Sequence, residues 1–485
     1  MTAAELVAVG ERMHQALGRE YYMTGSGLKG DPEFQKIYDR FRVLQQDEAL
    51  AAAHESGSRE LLAWVIDTRI GRKLAPLEER QLMWEQNAVV KAADREVGYL
   101  RAPIEISNSP DRSFRIALDT ARMKMGSAAL DGLRRDALEL EHREIEGLGY
   151  DDYVAARAAL SGVDLDSLGG SAERFLDETA DMYVDSLGQL VHRRLGLHIT
   201  QLVRSDAAWT FRANEYDRAF MADCLVQTAA MQMADMGLDV TQGGRIRFDT
   251  EEREGKQPRA FCVPVQVPHE VYLVLRPRGG HSDFRTFWHE LGHSMHFSSP
   301  ANDLPFEARW LGDNSVTEGF AMLWDHLTVN GLWLRHYTTL SEGEIRQLSF
   351  ELGVNELYMV RRYAAKLIYE LSLHRSDFTG MGAEYAERLS DATRFRYSED
   401  ECLADVDPGF YAARYLRAWQ LEAALAHLLT EEYDEDWFRN PKAGEFVHAL
   451  MSRGQADLAH DLALEVTGKP LAFDTLVARL EPLLH

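Results

Sequence analysis

The chain has 485 residues, of which 45% are apolar, so it can hold two or three average domains or one large enzyme core. Its 53 basic and 78 acidic residues give a net charge of −25, which argues against nucleic acid or an anionic membrane as the main partner. The negative charge favours solubility, and it gives only a weak reason to expect cationic substrates.

The chain carries three cysteines, Cys224, Cys262 and Cys402, which are too few and too far apart for a disulfide framework. The first residues, Met1 to Leu6, lack the basic start and the apolar core of a signal peptide, and no apolar run is long enough to span a membrane. We therefore expect a cytoplasmic protein in a reducing compartment.

The first half of the chain is predicted to be helical, because apolar residues recur at three- and four-residue spacing. Gly25 to Gly27 and Gly57 interrupt this pattern, and residues 101–112, with two prolines, are predicted to form a loop. Ser171 is the expected capped start of one helix. The predicted helices span residues 3–24, 32–54, 58–72, 76–99, 112–147, 171–194 and 213–237.

The spacing of apolar residues changes after Gly243 and Gly244. Three β-rich segments, Arg245–Phe248, Arg259–Val267 and Val271–Leu275, are bounded by glycine and proline and predict a small sheet of two or three strands. A free edge of this sheet can bind an extended peptide through main-chain hydrogen bonds. A sheet that only braces the next helix is the equally plausible alternative.

The next segment contains His289-Glu290-Leu291-Gly292-His293 within a helix that ends at residues 298–300. Residues four apart share a helix face, so the two imidazoles can point at one metal ion. Neutral imidazoles suit Zn²⁺, whose catalytic sites use three protein ligands and a water, and Glu290 is placed as general base beside that water. The alternative is a surface helix with two incidental histidines.

The third ligand must come from another part of the chain. Glu318 is the candidate, on a helix predicted over Asn314 to Gly331. We therefore expect one zinc ion per chain, held by His289, His293 and Glu318. Further helices are predicted from Ser341 to about His374, over residues 382–396, from Asp407-Pro408 to about Thr430, and as two or three short helices over residues 441–485.

These motifs resemble those of a known family. His289-Glu290-x-x-His293, with a glutamate twenty-five residues after the second histidine, is similar to the gluzincin peptidases of the thimet oligopeptidase and oligoendopeptidase F family. A more distant likeness is to angiotensin-converting enzyme. The block from Arg259 to His296 resembles that family's strand-then-metal-helix core, and the motifs together cover roughly the last half of the chain.

The resemblance implies a mainly α, two-lobed fold with a deep central channel, the metal at its floor and a small β-sheet beside the metal helix. We expect residues 1–205 to form a helical channel wall and residues 206–485 to form the catalytic lobe. The expected substrates are short peptides, since a deep channel excludes folded proteins. We expect the protein to be a monomer or a homodimer.

The resemblance also assigns roles to individual residues. The segment 410–419 resembles the family segment whose tyrosine faces the substrate, which makes Tyr415 the expected donor to the oxyanion. Asp325 falls where the family has a second acidic residue, and with Asp313 it is predicted to orient a ligand histidine. Three residues are predicted to contact substrate: Tyr411, Arg414 and His269. The structural alternatives are core packing for Tyr411, a salt bridge for Arg414 and an exposed turn for His269.

The sequence departs from the family at two points. The family often has a histidine ten or twelve residues before the substrate-facing tyrosine, where this chain has Asp405 and Leu403, and Ala412 replaces a second tyrosine. We predict zinc-dependent hydrolysis of short peptides, with Glu290 accepting a proton from water and passing it to the leaving amine. The departures keep open a dedicated small-molecule or biosynthetic amide substrate, and a non-catalytic binding protein is a further alternative.

Overall fold

The computed structural model describes residues 1–484, and helices account for 70% of the residues. The mainly α fold predicted from the sequence is confirmed. Within the described residues, none of the helices combines the length and the apolar character that a bilayer crossing requires.

The helices, in chain order, are α1 (Ala3–Gly25), α2 (Phe34–Arg40), α3 (Asp47–Ser56), α4 (Arg59–Asn87), α5 (Ala102–Asn108), α6 (Arg112–Glu146), α7 (Tyr153–Ser161), α8 (Leu165–Glu178), α9 (Ala180–Leu195), α10 (Arg204–Thr210), α11 (Leu225–Asp235), α12 (His281–Ser298), α13 (Phe306–Trp310), α14 (Asn314–Asp325), α15 (Gly331–Tyr337), α16 (Glu342–Leu373), α17 (Gly382–Thr393), α18 (Tyr411–Tyr433), α19 (Pro441–Met451), α20 (Ala459–Thr467) and α21 (Asp474–Leu484). The strands are β1 (Val89–Ala92), β2 (Arg95–Gly98), β3 (Ile246–Asp249), β4 (Phe261–Gln266) and β5 (Glu270–Val274).

The chain divides into two compact units, each assembled from separate stretches. The first unit contains residues 1–69, 213–349 and 417–479, and the second contains residues 70–212, 350–416 and the C-terminal residues from 480. These bounds differ from the predicted division at residue 205, because α1 packs against β4 in the first unit. A Cβ at Gly18 would lie only 2.6 Å from the carbonyl oxygen of Pro264.

The sheet of the first unit has the strand order β3-β5-β4 and lies where the sequence predicted it. β3 pairs with β5 in parallel, and β4 pairs with β5 in an antiparallel register that joins Cys262 to Leu273. β5 is buried throughout, whereas β4 has only one paired side. Its other side is an edge whose main-chain groups do not bond to the sheet.

Close packing of α12 against α14 sets the geometry of the two histidines and Glu318. Gly292 lies at the contact, where an added Cβ would be 2.5 Å from Trp324 Cδ1 and 2.6 Å from Ala321 Cα. Only glycine permits this approach. The far side of α12 is fixed by Trp288, which is fully buried and donates a hydrogen bond to Gln232 Oε1 at 2.6 Å.

The second unit is held together by buried ion pairs as well as apolar packing. Asp206 is fully buried and forms ion pairs with Arg115 at 3.0 Å and with Arg112 at 2.8 Å. Arg361 is also buried and donates to the carbonyl oxygen of Ala392 at 2.8 Å. Asp206 and Arg361 therefore each have a polar partner, which offsets part of the cost of burying their charge.

Several predicted elements of the second unit are wrong. Residues 76–99 are not one helix, because α4 ends at Asn87 and is followed by the hairpin of β1 and β2. The break predicted between residues 72 and 76 is absent, since α4 continues through Pro76. The predicted loop at 101–112 contains α5, in which Pro103 occupies the first turn, where its missing N–H costs nothing.

Other helix boundaries also differ. The predicted helix at 171–194 is two helices, and the first begins at Leu165, where Asp164 caps it by accepting from Ser167 N at 2.9 Å. Residues 32–54 form two α-helices separated by a 3₁₀ turn. Residues 214–224 form 3₁₀ turns before α11, and Asp407 precedes a 3₁₀ turn in which Gly409 has a positive φ, so that α18 begins at Tyr411.

Candidate metal centre

Two helices of the first unit bring together the three predicted ligands. His289 and His293 lie one turn apart on α12, and Glu318 lies on α14. Glu318 Oε2 is 3.4 Å from His289 Nε2 and 3.6 Å from His293 Nε2. The three ligand atoms all lie within 4.8 Å of one another and could hold a metal ion.

The spacing of these atoms can be compared with that of a zinc site. With Zn–N and Zn–O bonds of about 2.0–2.2 Å and tetrahedral angles, two ligand atoms lie roughly 3.4 Å apart. Direct N–H···O hydrogen bonds are shorter, about 2.7–3.2 Å. The observed separations of 3.4 and 3.6 Å therefore fit two ligands of the same ion better than a hydrogen-bonded pair.

The remote nitrogen of each histidine has a hydrogen-bonding partner. His289 Nδ1 lies 2.9 Å from Asp325 Oδ2, and His293 Nδ1 lies 3.0 Å from Thr317 Oγ1. When each Nδ1–H donates to its oxygen, the lone pair is left on Nε2, the atom that faces Glu318. Both oxygens belong to α14, so one helix supplies the third ligand and orients the other two.

Asp325 is itself held in position. It is buried, and its Oδ1 lies 3.4 Å from Arg285 Nε and 3.7 Å from His326 Nε2. Burial acts to raise the pKa of Asp325, but the positive charges of Arg285 and His326 outweigh it and lower that pKa to about 2. Asp325 is therefore a carboxylate at neutral pH.

The electrostatic environment favours a cation. Burial acts to lower the pKa of His289, but Asp325 and Glu318 outweigh it and raise that pKa to about 10. Burial acts to raise the pKa of Glu318, yet the two imidazoles hold it well below its usual range. Carboxylates that attract a proton this strongly attract a metal cation for the same reason.

Glu290 is anchored by a main-chain group. Its Oε2 accepts a hydrogen bond from the backbone N–H of Cys262 at 2.8 Å, whereas Oε1 accepts none from residues 1–484. The Cys262 N–H therefore points away from β5, on the unpaired side of β4. The Ser294 hydroxyl, one turn further along α12, donates to the main-chain carbonyl of Glu290 at 2.8 Å.

Two predicted residues of the first unit lie elsewhere. Asp313 is the N-cap of α14: its Oδ1 accepts from Ser315 N at 2.8 Å and its Oδ2 accepts from Ala459 N at 3.0 Å. His269 is exposed in the turn between β4 and β5, at the opposite end of β4 from Cys262. These contacts are those of a helix cap and of an exposed turn.

The predicted tyrosines belong to the second unit. The Tyr415 ring centroid lies 5.1 Å from those of Tyr363 and Tyr411, and the Arg414 guanidinium lies over the Tyr411 ring at 5.8 Å. All three predicted residues are half-buried on α18. Their proposed contacts with substrate remain predictions.

The structure explains the residues that stand where the family often has histidine. Asp405 binds Arg362 at 2.6 Å and Lys366 at 3.2 Å, and it accepts from the Tyr385 hydroxyl at 2.8 Å. Leu403 is buried. Both positions therefore serve the packing of the second unit.

The whole fold matches a solved structure. A crystal structure described as that of a "putative peptidase" from Chlamydophila abortus superposes with a TM-score of 0.68, covering 99% of this chain and 89% of that one, at 12% sequence identity. The two chains share a fold. No protein-family model matches the chain, and no curated protein does.

Four residues that contact the candidate centre were not predicted from the sequence: Arg285, Thr317, His326 and Cys262. Arg285 is one turn before His289 on the same face of α12, and Thr317 is adjacent to Glu318, so helical spacing could have indicated both. His326 follows Asp325 directly. The Cys262 N–H could not have been found, because a main-chain donor carries no residue-type signal.

Proposed function

We propose that the protein is a zinc-dependent peptidase that hydrolyses short peptides. The observation that carries the proposal is the convergence of His289 Nε2, His293 Nε2 and Glu318 Oε2 at separations of 3.4 and 3.6 Å, beside an anchored glutamate. The donor set of two imidazoles and one carboxylate is one that catalytic zinc sites use.

In the proposed mechanism, His289, His293 and Glu318 would hold the zinc ion. Zinc bound there would supply Lewis-acid chemistry, which polarises a carbonyl group and acidifies water. Glu290 accepts the proton of the attacking water and passes it to the leaving amine. Its Oε2 is held by the Cys262 amide, so the carboxylate is fixed while Oε1 can take the proton.

Tyr415 is assigned to the oxyanion on its resemblance to the family segment named above. A hydroxyl that donates to the developing negative charge typically contributes about 10²–10³ in rate. Tyr415→Phe removes only that hydroxyl and therefore tests this role. The two aromatic neighbours of Tyr415 would keep the phenylalanine ring in place.

A peptide substrate is supported by the edge of β4. A peptide lying along the unpaired side of β4 would pass the proposed base, because Cys262 lies there and donates its own N–H to Glu290. The edge is short, because α1 covers it at Pro264. The "putative peptidase" that shares the fold supports the same choice, as does the family resemblance.

The second candidate is the same zinc scaffold acting on a dedicated small-molecule or biosynthetic amide. The positions where the family often has histidine favour this alternative, since Asp405 and Leu403 are structural here. A mixed pool of short peptides, incubated with zinc-loaded protein and mapped by mass spectrometry, separates the two. We expect cleavage within the pool; an intact pool would favour the dedicated substrate.

A further inference from the structure

An open, surface-facing cavity of 410 Å³ lies within the first unit. Its volume falls in the range of about 300–1,000 Å³ that is typical of ligand pockets. The walls are contributed by α1, α2, β4, the end of α12, α13, the start of α14 and the loop between α19 and α20. The lining residues are His14, Leu17, Gly18, Tyr21, Phe34, Tyr38, Cys262, Val263, Pro264, Phe297, Trp310, Asn314 and Gln455.

Three wall residues place this cavity beside the candidate metal centre. The Cys262 N–H is bonded to Glu290 Oε2 at 2.8 Å. Phe297 is one helical turn after His293, and their ring centroids are 6.4 Å apart. Asn314 is one turn before Glu318 on α14. Three separate elements therefore connect the cavity wall to the base and to two ligands.

The wall is aromatic and carries no aspartate, glutamate, lysine or arginine, although the chain as a whole has a net charge of −25. His14 is neutral at pH 7, because burial among Trp64, Phe306 and Trp310 lowers its pKa to about 4. A charged side chain entering this cavity would find no opposite charge among the wall residues.

We propose that this cavity is the specificity pocket, and that it receives a large neutral side chain, aromatic or bulky aliphatic, from the substrate residue next to the cleaved bond. The proposal rests on the proposed function and names its substrate class. Five aromatic wall residues supply the contact area: Tyr21, Phe34, Tyr38, Phe297 and Trp310. Alanine would leave the cavity largely unfilled.

The expected selectivity follows from the size and charge of the wall. A difference of one buried methylene is worth about 10–200-fold in a hydrophobic pocket, so phenylalanine should be preferred over alanine by at least about tenfold in kcat/KM. Glutamate and lysine should both be rejected. Rejection of lysine is the sharper expectation, since the overall negative charge of the protein would by itself attract a cationic peptide.

The test uses two readouts. One peptide series varies a single residue beside the cleaved bond among phenylalanine, leucine, alanine, glutamate and lysine. Cleavage is measured with zinc-loaded wild-type protein, and binding is measured separately with zinc-loaded Glu290→Gln, which should not turn the peptides over. We expect phenylalanine and leucine to lead in both. Equal affinity of Glu290→Gln for all five peptides would overturn the pocket.

Variants of one wall residue test whether the preference for phenylalanine arises in this cavity. Phe34 is half-buried on α2, and Phe34→Ala should reduce the preference for phenylalanine about tenfold or more, while Phe34→Lys should give glutamate an advantage over phenylalanine. Phe446 is a half-buried phenylalanine of the same unit that is not part of this wall, so Phe446→Ala and Phe446→Lys are the matched controls. Tyr38→Ala repeats the test should Phe34→Ala fail to fold.

The outcomes separate the two proposals. Retained cleavage by Glu290→Gln would remove the proposed mechanism, whatever the peptide preference. The mechanism would stand and the pocket would be overturned by a different pair of results. Glu290→Gln would lose cleavage, and Phe34→Ala and Phe446→Ala would both keep the wild-type preference for phenylalanine.

Discussion

The main-chain N–H of Cys262 and the carboxylate of Glu290 are joined by a hydrogen bond of 2.8 Å. An edge strand therefore fixes the residue that we propose as general base. One bond to a main-chain donor restricts the carboxylate without neutralising it. In the proposed mechanism, the same strand that would align a peptide also sets the position of the proton acceptor.

Glu290→Gln should lose peptidase activity and keep zinc. The amide has nearly the same shape and still offers an oxygen to the Cys262 N–H, but it cannot accept the proton. We expect a loss of about 10²–10⁴ in kcat, measured with a fluorogenic peptide on preparations of known zinc content. Glu445→Gln, an exposed glutamate of the same unit, should keep full activity. Unchanged turnover by Glu290→Gln would remove Glu290 from the mechanism.

Asp325→Asn should weaken zinc binding, because the amide is a poorer acceptor for His289 Nδ1–H and leaves Arg285 without its charge partner. Loss of such a supporting carboxylate typically costs about 10–100-fold in metal affinity. Thr317→Val removes a neutral acceptor from His293 and should cost less.

Chelator competition measures both affinities, and Asp313→Ala is the informative control. Loss of this helix cap should cost about 1 kcal/mol of stability. It should leave zinc affinity unchanged, since the contacts of Asp313 are with Ser315 and Ala459. Weaker zinc binding in Asp313→Ala, with Asp325→Asn unaffected, would reverse the two assignments.

Gly292→Ala should disturb the metal centre through packing. The new methyl group would lie 2.5 Å from Trp324 Cδ1 and 2.6 Å from Ala321 Cα, so α14, which carries Glu318, must move. Overpacking of this kind costs about 1–3 kcal/mol, and we expect weaker zinc binding as well. Gly343→Ala on α16 meets no atom within 4 Å and should be neutral or stabilising. Thermal unfolding and zinc titration of both variants check this, and equal behaviour of the two would contradict it.

His14 should make folding stability depend on pH. Burial lowers the pKa of His14 from 6.5 to about 4. As the pH falls below 6.5 the unfolded chain binds a proton that the folded chain does not bind until about pH 4, so stability falls across this window. The effect is at most about 3 kcal/mol.

Replacement of His14 by phenylalanine should reduce this dependence, and His296, whose pKa burial also lowers to about 4, should supply part of what remains. Urea unfolding between pH 4 and pH 7 measures the slope, and His54→Phe, at an exposed position of the same unit, should leave the slope unchanged. An identical slope in wild type and His14→Phe would show that His14 is not the titrating group.

Long amphipathic helices could be predicted from the sequence, and short elements could not. The prediction for residues 3–24 nearly coincides with α1, and that for 112–147 nearly coincides with α6, because many periodic positions agree. The hairpin of β1 and β2 was missed because its turn consists of Ala93 and Asp94, without the glycine or Asn-Gly that marks such turns. Ala93 adopts a positive φ of 53°, which could not be predicted from its residue type.

The candidate site could be predicted only where residue type carries the signal. His289, His293 and Glu318 could be predicted as ligands because their residue types and helical spacing are specific, and the structure brings the three side chains together. Asp313 was predicted to orient a ligand histidine, but an aspartate before a helix is equally suited to capping, and the contacts of Asp313 are those of a cap. The anchoring of Glu290 and the aromatic cavity depend on α1, α2 and β4 meeting across long stretches of sequence, and no local pattern encodes such a meeting.

Zinc stoichiometry tests the central claim most directly. Elemental analysis after dialysis against zinc, on wild-type protein and on a variant with His289, His293 and Glu318 all changed to alanine, should give one zinc ion per wild-type chain and none in the variant. Circular dichroism confirms that both are folded. Equal zinc content in the two proteins would contradict the claim that these three side chains form the metal site.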